Sequence, residues 1–537
     1  MPVLDWIGKQ AVVNHDKEVP YRLLRCEEEL SVGDATSGNL LVEGDNLLAL
    51  KALLPYYAGQ VKCVYIDPPY NTGNEDWVYN DSVNSPEMRA WLGRAVGGES
   101  EDLSRHDKWL CMMYPRLRLL SQFLREDGSI WVSMDDSEEA SLRLVMDEVF
   151  GRRNYVGTIV WQKRYSRENR EAIGDVHEYI MVYARSPEAF KSVRNRVPAD
   201  EAQCKVYKNP NGDPGGRWRG VPMTAQGFRP NQMYSITTPA GVVHAPPEGR
   251  CWSMIESEYL RLRAEDRIYF GKNGKSQPSV IRYLSEVDGF VPWSWWPHGE
   301  VGHTDEARKE IRELLGTQTA FETPKPVRLI RRILQIATNP GDLVLDSFAG
   351  SGTTGHAVLD LNGEGGADRR FILVELEEQI AQTVTRERLR RVVEGYTSAK
   401  PNGGSATVEG LGRGFRYYRL GAELFDAAGR INPDVSFEDL ARHIYFVATG
   451  EPLTGEVDAH CTLIGTHGAT AYYLLYNGVL RDKSPRGGNV LTSDVLSALP
   501  PYEGPRVVYG VGCRLGADRL LRESVTFRQI PYQIRVD

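Results

Sequence analysis

The sequence predicts an α/β protein built on a mostly parallel sheet, with a second unit inserted into it. Two short apolar runs carry the prediction. Residues 61–66 are closed by Asp67-Pro68-Pro69-Tyr70, and residues 343–345 by Asp346-Ser347-Phe348-Ala349-Gly350-Ser351-Gly352. Each is an aliphatic or β-branched run ending in turn-forming residues, the pattern of a strand buried on both faces. The third observation is distance: the two strings lie about 280 residues apart, far more than one βαβ repeat needs, so a further module lies between them.

The elements follow in order. Residues 40–43 read as a strand entering a turn at Gly44-Asp45, and 46–57 as the crossover helix to the strand at 61. Residues 109–124 have helical spacing. Residues 128–136 read as another strand, with Asp135 and Asp136 as caps or solvated turn residues. Residues 177–184 continue the sheet, after which the character changes. From about 192 to 291 come Gly, Pro, Arg and aromatic residues with little helical periodicity, as in 209–219. Trp293, Trp295 and Trp296 read as packing where the modules join. After Thr323-Pro324-Lys325-Pro326, residues 327–334 place their apolar positions on one helix face. Residues 370–374 form the strand that follows the glycine turn and its helix, and Glu375 ends it. Residues 398–405 have linker composition, and the rest mixes strands and helices without a catalytic string. These breaks give four segments: 1–190, 191–295, 296–397 and 398–537.

Composition bounds the function. A chain of 537 residues can bury the cores of several domains. Its seven cysteines contain no C-x-x-C pair, so neither a disulfide framework nor a metal site is expected. There is no signal-like start and no 18-residue apolar run, which predicts neither export nor a membrane span. No Walker string occurs, so ATP-driven work would fall to another chain. The net charge of −8 opposes phosphate binding overall, yet Arg152, Arg153, Lys163, Arg164, Arg167 and Arg170 crowd together with one acid, Glu168. Tyr155, Trp161 and Tyr165 are interleaved. Two readings stand, a ribbon that tracks phosphate or a solvated face. Arg217, Arg219, Arg229 and the basic turn 271–275 are likewise either nucleic-acid contacts or ordinary loop residues.

Asp67 stands at a strand's carboxyl end, the edge where ligands bind in open α/β sheets. The two prolines bring stiff backbone and no N–H donors, so their carbonyls can face outward. A carboxylate, a carbonyl and the Tyr70 ring suit a planar base with an exocyclic amino group. Hydrogen bonds accepted from both N–H groups would draw the nitrogen lone pair out of the ring and make it nucleophilic. The plainer reading is a proline turn with a capping Asp. Gly350, Gly352 and Gly355, with Glu375 downstream, also satisfy the dinucleotide fingerprint G-x-G-x-x-G, which alone is weak. A nicotinamide-dependent dehydrogenase would use that turn but leaves residues 67–70 unexplained.

Together the two strings resemble S-adenosylmethionine-dependent amino methyltransferases. Their order, Asp67 to Tyr70 first and the glycine turn second, resembles the β class of DNA adenine N6-methyltransferases. The flanking segments, including Trp296-Pro297 and Glu300 to His303, are similar to modification subunits of type III restriction systems. The resemblance implies a Rossmann-like methyltransferase sheet, a target recognition domain at 191–295 and a C-terminal α+β assembly domain at 398–537. It implies catalysis by Asp67, Pro68, Pro69 and Tyr70, and S-adenosylmethionine held by Asp45, Lys325, Pro326, Asp346, Phe348, Gly350, Ser351, Gly352, Thr353 and Glu375. Asp45 has an alternative reading as a helix N-cap. Double-stranded DNA would be contacted by Arg152, Arg153, Lys163, Arg164, Arg167, Arg217 and Arg219. No metal is implied. A homodimer, a separate ATP-dependent restriction subunit and a prokaryotic cytoplasmic location are implied as well. Ser347 departs from the family, which often has proline or phenylalanine there. An N4-cytosine enzyme, which more often has serine in place of Asp67, and a catalytically silent recognition subunit are the alternatives.

Overall fold

The computed structural model describes residues 4–34, 36–71, 105–166, 172–198, 204–316, 321, 323–365, 367–399, 405–425, 431–451, 453, 455–476 and 488–530. Contacts divide the chain into two units, one of Met1–Asn195 with Trp293–Asp537 and one of Arg196–Pro292.

Ten strands of the first unit follow one another across a sheet: β1 (Arg22–Cys26), β2 (Leu40–Glu43), β3 (Val61–Ile66), β4 (Leu124–Met134), β5 (Tyr155–Gln162), β6 (His177–Ala184), β7 (Trp295–Trp296), β8 (Leu343–Asp346), β9 (Arg370–Glu375) and β10 (Gly414–Glu423). Their spatial order is β1-β10-β2-β9-β8-β3-β4-β6-β5-β7, and Val32–Gly33 adds to β10. From β10 to β4 every neighbour is parallel. β1 closes one side antiparallel, as β6 and β5 do on the other. The central strands β3 and β8 are buried along their whole length, so they carry no polar alternation.

Four helices matter for the site: α1 (Asn46–Tyr57), α2 (Arg105–Phe123), α3 (Val327–Ala337) and α4 (Thr353–Gly365). α1 packs on α2, and α3 on α4. The crossover β8-α4-β9 runs one way across the sheet and β3-α2-β4 the other. Right-handed crossovers in opposite directions put their helices on opposite faces. α1 starts where Asp45 accepts a hydrogen bond from Leu48 N at 2.9 Å, and α3 starts directly after Pro326. Among the described residues no helix is long and apolar enough to cross a membrane.

Three expectations change. β10 lies in the tail segment 398–537, yet it is a strand of the main sheet, set between β1 and β2. Tyr417 pairs with Leu41, its hydroxyl donates to Glu43 Oε2 at 2.5 Å, and Arg419 Nε donates to Glu43 Oε1 at 2.9 Å. Phe415 and Tyr417 are fully buried on alternate positions, which is the pattern of a strand that one face of a core requires. The stretch expected to be a linker is flanked by a hairpin, with Gly395–Ala399 pairing antiparallel to Ser405–Glu409. Of the three tryptophans, only Trp296 packs inside, stacked 6.4 Å from Trp131; Trp295 is exposed because successive side chains in β7 point to opposite faces, and Trp293, before the strand, is exposed as well.

The rest of the tail forms a four-stranded sheet of Leu463–His467, Thr470–Leu474, Arg506–Gly510 and Val525–Gln529. The second unit has its own small core of Met223, Ile236, Trp252, Tyr259 and Phe270 beside short antiparallel pairings, the longest between Trp218–Pro222 and Ser279–Tyr283.

A chain cut before Gly414 loses a strand from inside the main sheet together with the tail sheet that follows it. Its thermal transition, followed by circular dichroism, is expected to disappear or to broaden into a non-cooperative slope. An unchanged melting temperature would show that β10 is dispensable to the sheet.

Candidate active site

β3 and β8 are parallel neighbours, with Val344 opposite Cys63 and Leu345 opposite Val64. Continuing that register carries Asp67 and Phe348 off the same edge of the sheet, side by side. It is also where the crossovers diverge, the crevice in which doubly wound sheets bind ligands.

Asp67 is held from several sides. Tyr70 donates its hydroxyl to Asp67 Oδ1 at 2.8 Å and lies 3.0 Å from Glu178 Oε2. Lys325 Nζ donates to Asp67 Oδ1 at 2.8 Å and Oδ2 at 2.7 Å, and stands 3.5 Å from Glu178. The same ammonium lies 4.9 Å from the centre of the Tyr70 ring. Burial alone would push the Lys325 pKa down, but the charges of Asp67 and Glu178 outweigh it and hold it above the ordinary lysine value. Tyr70 is pushed well above its ordinary value, first by burial and then by Asp67 and Glu178, so it stays a neutral donor. Trp109 Nε1 donates to the Pro69 carbonyl at 2.7 Å. Beyond it, Asn71 takes a left-handed conformation at φ 56° and its amide donates to Glu138, which also meets His106 Nδ1 at 2.7 Å. The chain is thereby pinned as it leaves the string.

The glycine turn is held as tightly. Gly350 and Gly352 have φ of 49° and 75°, a backbone that side chains disfavour. Glu375 is fully buried at the end of β9 and accepts from Gly350 N at 2.7 Å and Glu377 N at 3.1 Å. Asp346 accepts from Phe348 N at 3.0 Å and Thr354 Oγ1 at 2.5 Å. Burial raises its pKa to about 7 against those two hydrogen bonds. Ser351 and Thr353 lie over the buried Arg388, and Thr353 Oγ1 donates to the Lys325 carbonyl at 3.2 Å. Lys325 therefore touches both strings, Asp67 through its side chain and Thr353 through its backbone. Pro326 and Phe348 are buried beside them.

Asp45 sits at the N-terminus of α1, where one oxygen makes the cap and the other meets Arg116 Nη2 at 3.2 Å. Neighbouring Asn46 Nδ2 donates to the Ser347 carbonyl at 3.2 Å, which ties α1 to the glycine string.

The basic ribbon does not stay together. Arg152 and Arg153 are exposed in a short turn and Arg164 is exposed, whereas Arg167 falls outside the described residues. Lys163 turns inward. It is only 9 % exposed and pairs with Asp175 at 2.7 Å and Glu178 at 3.6 Å, because an ammonium in that position compensates otherwise uncovered carboxylates. Within the second unit, Arg217 is exposed and donates to the carbonyls of Tyr207 and Cys204, and Arg219 stacks 5.4 Å from the Tyr207 ring. Both lie in the small three-stranded sheet or at its start.

Four contributors escaped the sequence reading: Glu178, Trp109, Glu138 and Arg388. A charged residue at the start of an otherwise apolar strand was the available signal for Glu178. Trp109 and Glu138 act through contacts that only the fold brings about. Among the described residues, no group of three or more His, Cys, Asp or Glu is arranged to hold a metal ion.

The sequence has counterparts. A family model described as DNA methylase matches residues 61–386, which takes in both strings. The type III restriction-modification enzyme StyLTI Mod subunit of Salmonella typhimurium is 35% identical over 445 residues, 78% of this chain and 66% of that protein. The EcoPI Mod subunit of Escherichia phage P1 is 32% identical over 74% of this chain and 69% of its own. The type II methyltransferase M.KpnI of Klebsiella pneumoniae is 31% identical over 66% of this chain and 84% of its own. The chain thus spans about two thirds of the length of the two Mod subunits.

The raised pKa of Asp346 fixes the sign of a pH effect. The folded state holds this proton up to about pH 7, while the unfolded chain releases it near the ordinary aspartate value. Stability is expected to fall as pH rises between those values and to level off above them, by an amount on the order of a few kcal/mol. Asp346→Asn should flatten that slope, so the gap between wild type and variant in urea unfolding differs between pH 4.5 and pH 8. Parallel curves would show that Asp346 does not titrate in this window.

Proposed function

The chain belongs to the DNA methylase family, and from that premise we propose that it is a site-specific DNA methyltransferase acting on N6 of adenine. One observation carries the reading: a carboxylate string and a glycine turn, about 280 residues apart in sequence, leave adjacent parallel strands at one edge and share Lys325.

The residues fit S-adenosylmethionine. Gly350 and Gly352 give the turn its left-handed backbone at the N-terminus of α4, Glu375 would receive ribose hydroxyls, and Lys325, Pro326, Asp346, Phe348, Ser351 and Thr353 lie in or beside the turn. Asp45 contributes by holding the start of α1. The cofactor supplies an electrophilic methyl group.

The remaining demands fall on the chain. The adenine must leave the stack, at a cost of roughly a few kcal/mol. Its amino group carries two hydrogens and needs two acceptors. Asp67 is one. The Pro69 carbonyl already accepts from Trp109, which favours the Pro68 carbonyl as the other. Lys325 covers one side of the Tyr70 ring, leaving the other to stack on the base. Attack by N6 on the methyl group that the bound cofactor would supply would build positive charge on the nitrogen next to the Asp67 carboxylate, and the surplus N6 proton would pass to solvent, directly or by way of Asp67.

Arg152, Arg153 and Arg164, with Arg217 and Arg219 of the second unit, are the proposed DNA contacts, and the second unit is the proposed target recognition domain. We propose further that it is a modification subunit, a reading that the likeness to Mod subunits of type III restriction-modification enzymes supports, and that it works in the cytoplasm as a homodimer with a separate ATP-dependent restriction subunit as partner. M.KpnI, of which the chain covers more, favours a second reading in which it methylates without that partner.

Purified protein incubated with unmethylated DNA and labelled S-adenosylmethionine is expected to yield N6-methyladenine at one short sequence. N4-methylcytosine in the nucleoside digest would overturn the choice of base. Asp67→Ala should reduce turnover below detection while cofactor affinity stays within about threefold, since Glu178 remains to compensate Lys325. Loss of cofactor affinity or of folding would instead make Asp67 a structural residue.

A further inference from the structure

Arg388 lies on the helix Arg386–Glu394, beneath the glycine turn, and is among the largest fully buried side chains of the described residues. Its Nη1 donates to Thr353 Oγ1 at 2.8 Å, Ser351 Oγ at 3.1 Å and the Ser351 carbonyl at 3.3 Å, and its Nε to His356 Nδ1 at 3.3 Å. Every one of these acceptors is neutral. Burial pushes the His356 pKa well below its ordinary value, and the charges of Arg388 and Arg331 push the same way. Among the described residues Arg388 makes no ion pair, and its buried Nη2 has no hydrogen-bond partner. Burial lowers its own pKa to about 10, with Glu310 acting against this from beyond ion-pair distance. It is charged at neutral pH all the same.

A buried guanidinium without a counter-ion is expensive, and a fold retains one where an anion arrives. The hydrogen bonds show where. A guanidinium has no acceptor, so the Ser351 and Thr353 oxygens must both accept from it. Thr353 spends its own proton on the Lys325 carbonyl, and the two hydroxyls are 3.1 Å apart. With that proton committed, Ser351 Oγ can donate either to Thr353 Oγ1 or to an arriving ligand, so its proton is the one free to turn to an anion at the N-terminus of α4, where unpaired backbone N–H groups also favour negative charge.

We propose that Arg388 supplies, behind the Ser351 hydroxyl, the positive charge that receives the α-carboxylate at the amino-acid end of the cofactor, with Thr353 fixing that arrangement. This rests on the reading of the glycine turn as the S-adenosylmethionine site. Arg388 is a positioning residue here, acting on the ligand through the Ser351 hydroxyl rather than by contact.

Two thioethers separate that role from simple bracing of the turn. S-adenosylhomocysteine carries the carboxylate, whereas 5′-methylthioadenosine keeps the nucleoside and sulfur without it. Binding of each to the full chain is measured by calorimetry for wild type, Arg388→Met and Arg388→Lys. Arg388→Met is expected to weaken S-adenosylhomocysteine about tenfold or more and leave 5′-methylthioadenosine within about twofold. Arg388→Lys, which keeps the charge, should hold the ratio of the two affinities within about threefold of wild type. Equal loss of both ligands in the two variants would overturn the proposal and make Arg388 a brace of the turn. Unchanged binding of S-adenosylhomocysteine would overturn it too. Wild type binding neither thioether would overturn the cofactor reading first, and this inference with it.

Discussion

Parallel pairing of β3 with β8 is the constraint on which the rest depends. Parallel neighbours cannot be joined by a tight turn, so the chain has to leave the sheet and return. Here it leaves after Asp67 and returns only at Leu343, having laid down β4, β5, β6, the whole second unit and β7 on the way. Such a detour costs less than it seems, because closure entropy grows only with the logarithm of loop length. The second unit also closes on itself, since Val197 bridges Phe290 antiparallel near its two ends. On the other side of the break, Asn195 is fixed to the first unit by bonds to the Ile336 and Thr338 carbonyls. An insertion anchored in this way leaves the β3/β8 register undisturbed.

Once the strand ends are adjacent, electrostatics becomes the harder problem. Asp67, Glu178 and Asp175 gather in a small volume, and Lys325 and Lys163 are drawn in to face them. Removing a sole partner from such a partly buried pair costs roughly 3–5 kcal/mol, and here each ammonium has two carboxylates, so losing one leaves the other to cover it. The cluster therefore behaves as a unit, and Lys163 is lost to any outward role. Around the glycine turn the solution is different. Among the described residues Asp346 is buried with no ion-pair partner and its pKa rises to about 7, whereas Arg388 is buried with no carboxylate at ion-pair distance, Glu310 acting only from farther off, and keeps its charge. In a chain of net charge −8, the local sign of each pocket is set by a few buried groups and not by the sum.

The sequence made the skeleton legible because its signals are local. An apolar run closed by a double proline, glycines at fixed offsets and a one-sided apolar helix at 327–334 all correspond to elements of the structure. What stayed hidden depends on pairing at long range. Nothing near Glu178 says that it will meet Tyr70, and nothing near Trp109 says that its indole will reach the Pro69 carbonyl. Lys163 looked like one cation in a ribbon because sequence proximity cannot tell an inward side chain from an outward one. β10 was placed in the tail segment for a similar reason. The polar residues before it resembled a linker, and its alternating burial has meaning only against a sheet that is already there.

The hydrogen-bond count around Asp67 narrows what the crevice can accept. A carboxylate oxygen has room for about two donors. Among the described residues, Oδ1 has both places filled, by Tyr70 and Lys325, whereas Oδ2 accepts from Lys325 alone. One acceptor position is left, and its direction is fixed because three donor contacts have already oriented the group. Trp109 does the same for the prolines by engaging Pro69 and leaving Pro68 as the less committed carbonyl. A ligand group with two donors on one atom and no need of a third partner satisfies both positions together, as a primary amine on a ring does. A hydroxyl brings a single donor and would leave one of the two unmet. An ammonium would bring a third hydrogen and a charge that Lys325 opposes at close range. On the proposed reading the preorganised site would favour a neutral amino group through the bonds it has already made, before any contact with the rest of the substrate is considered.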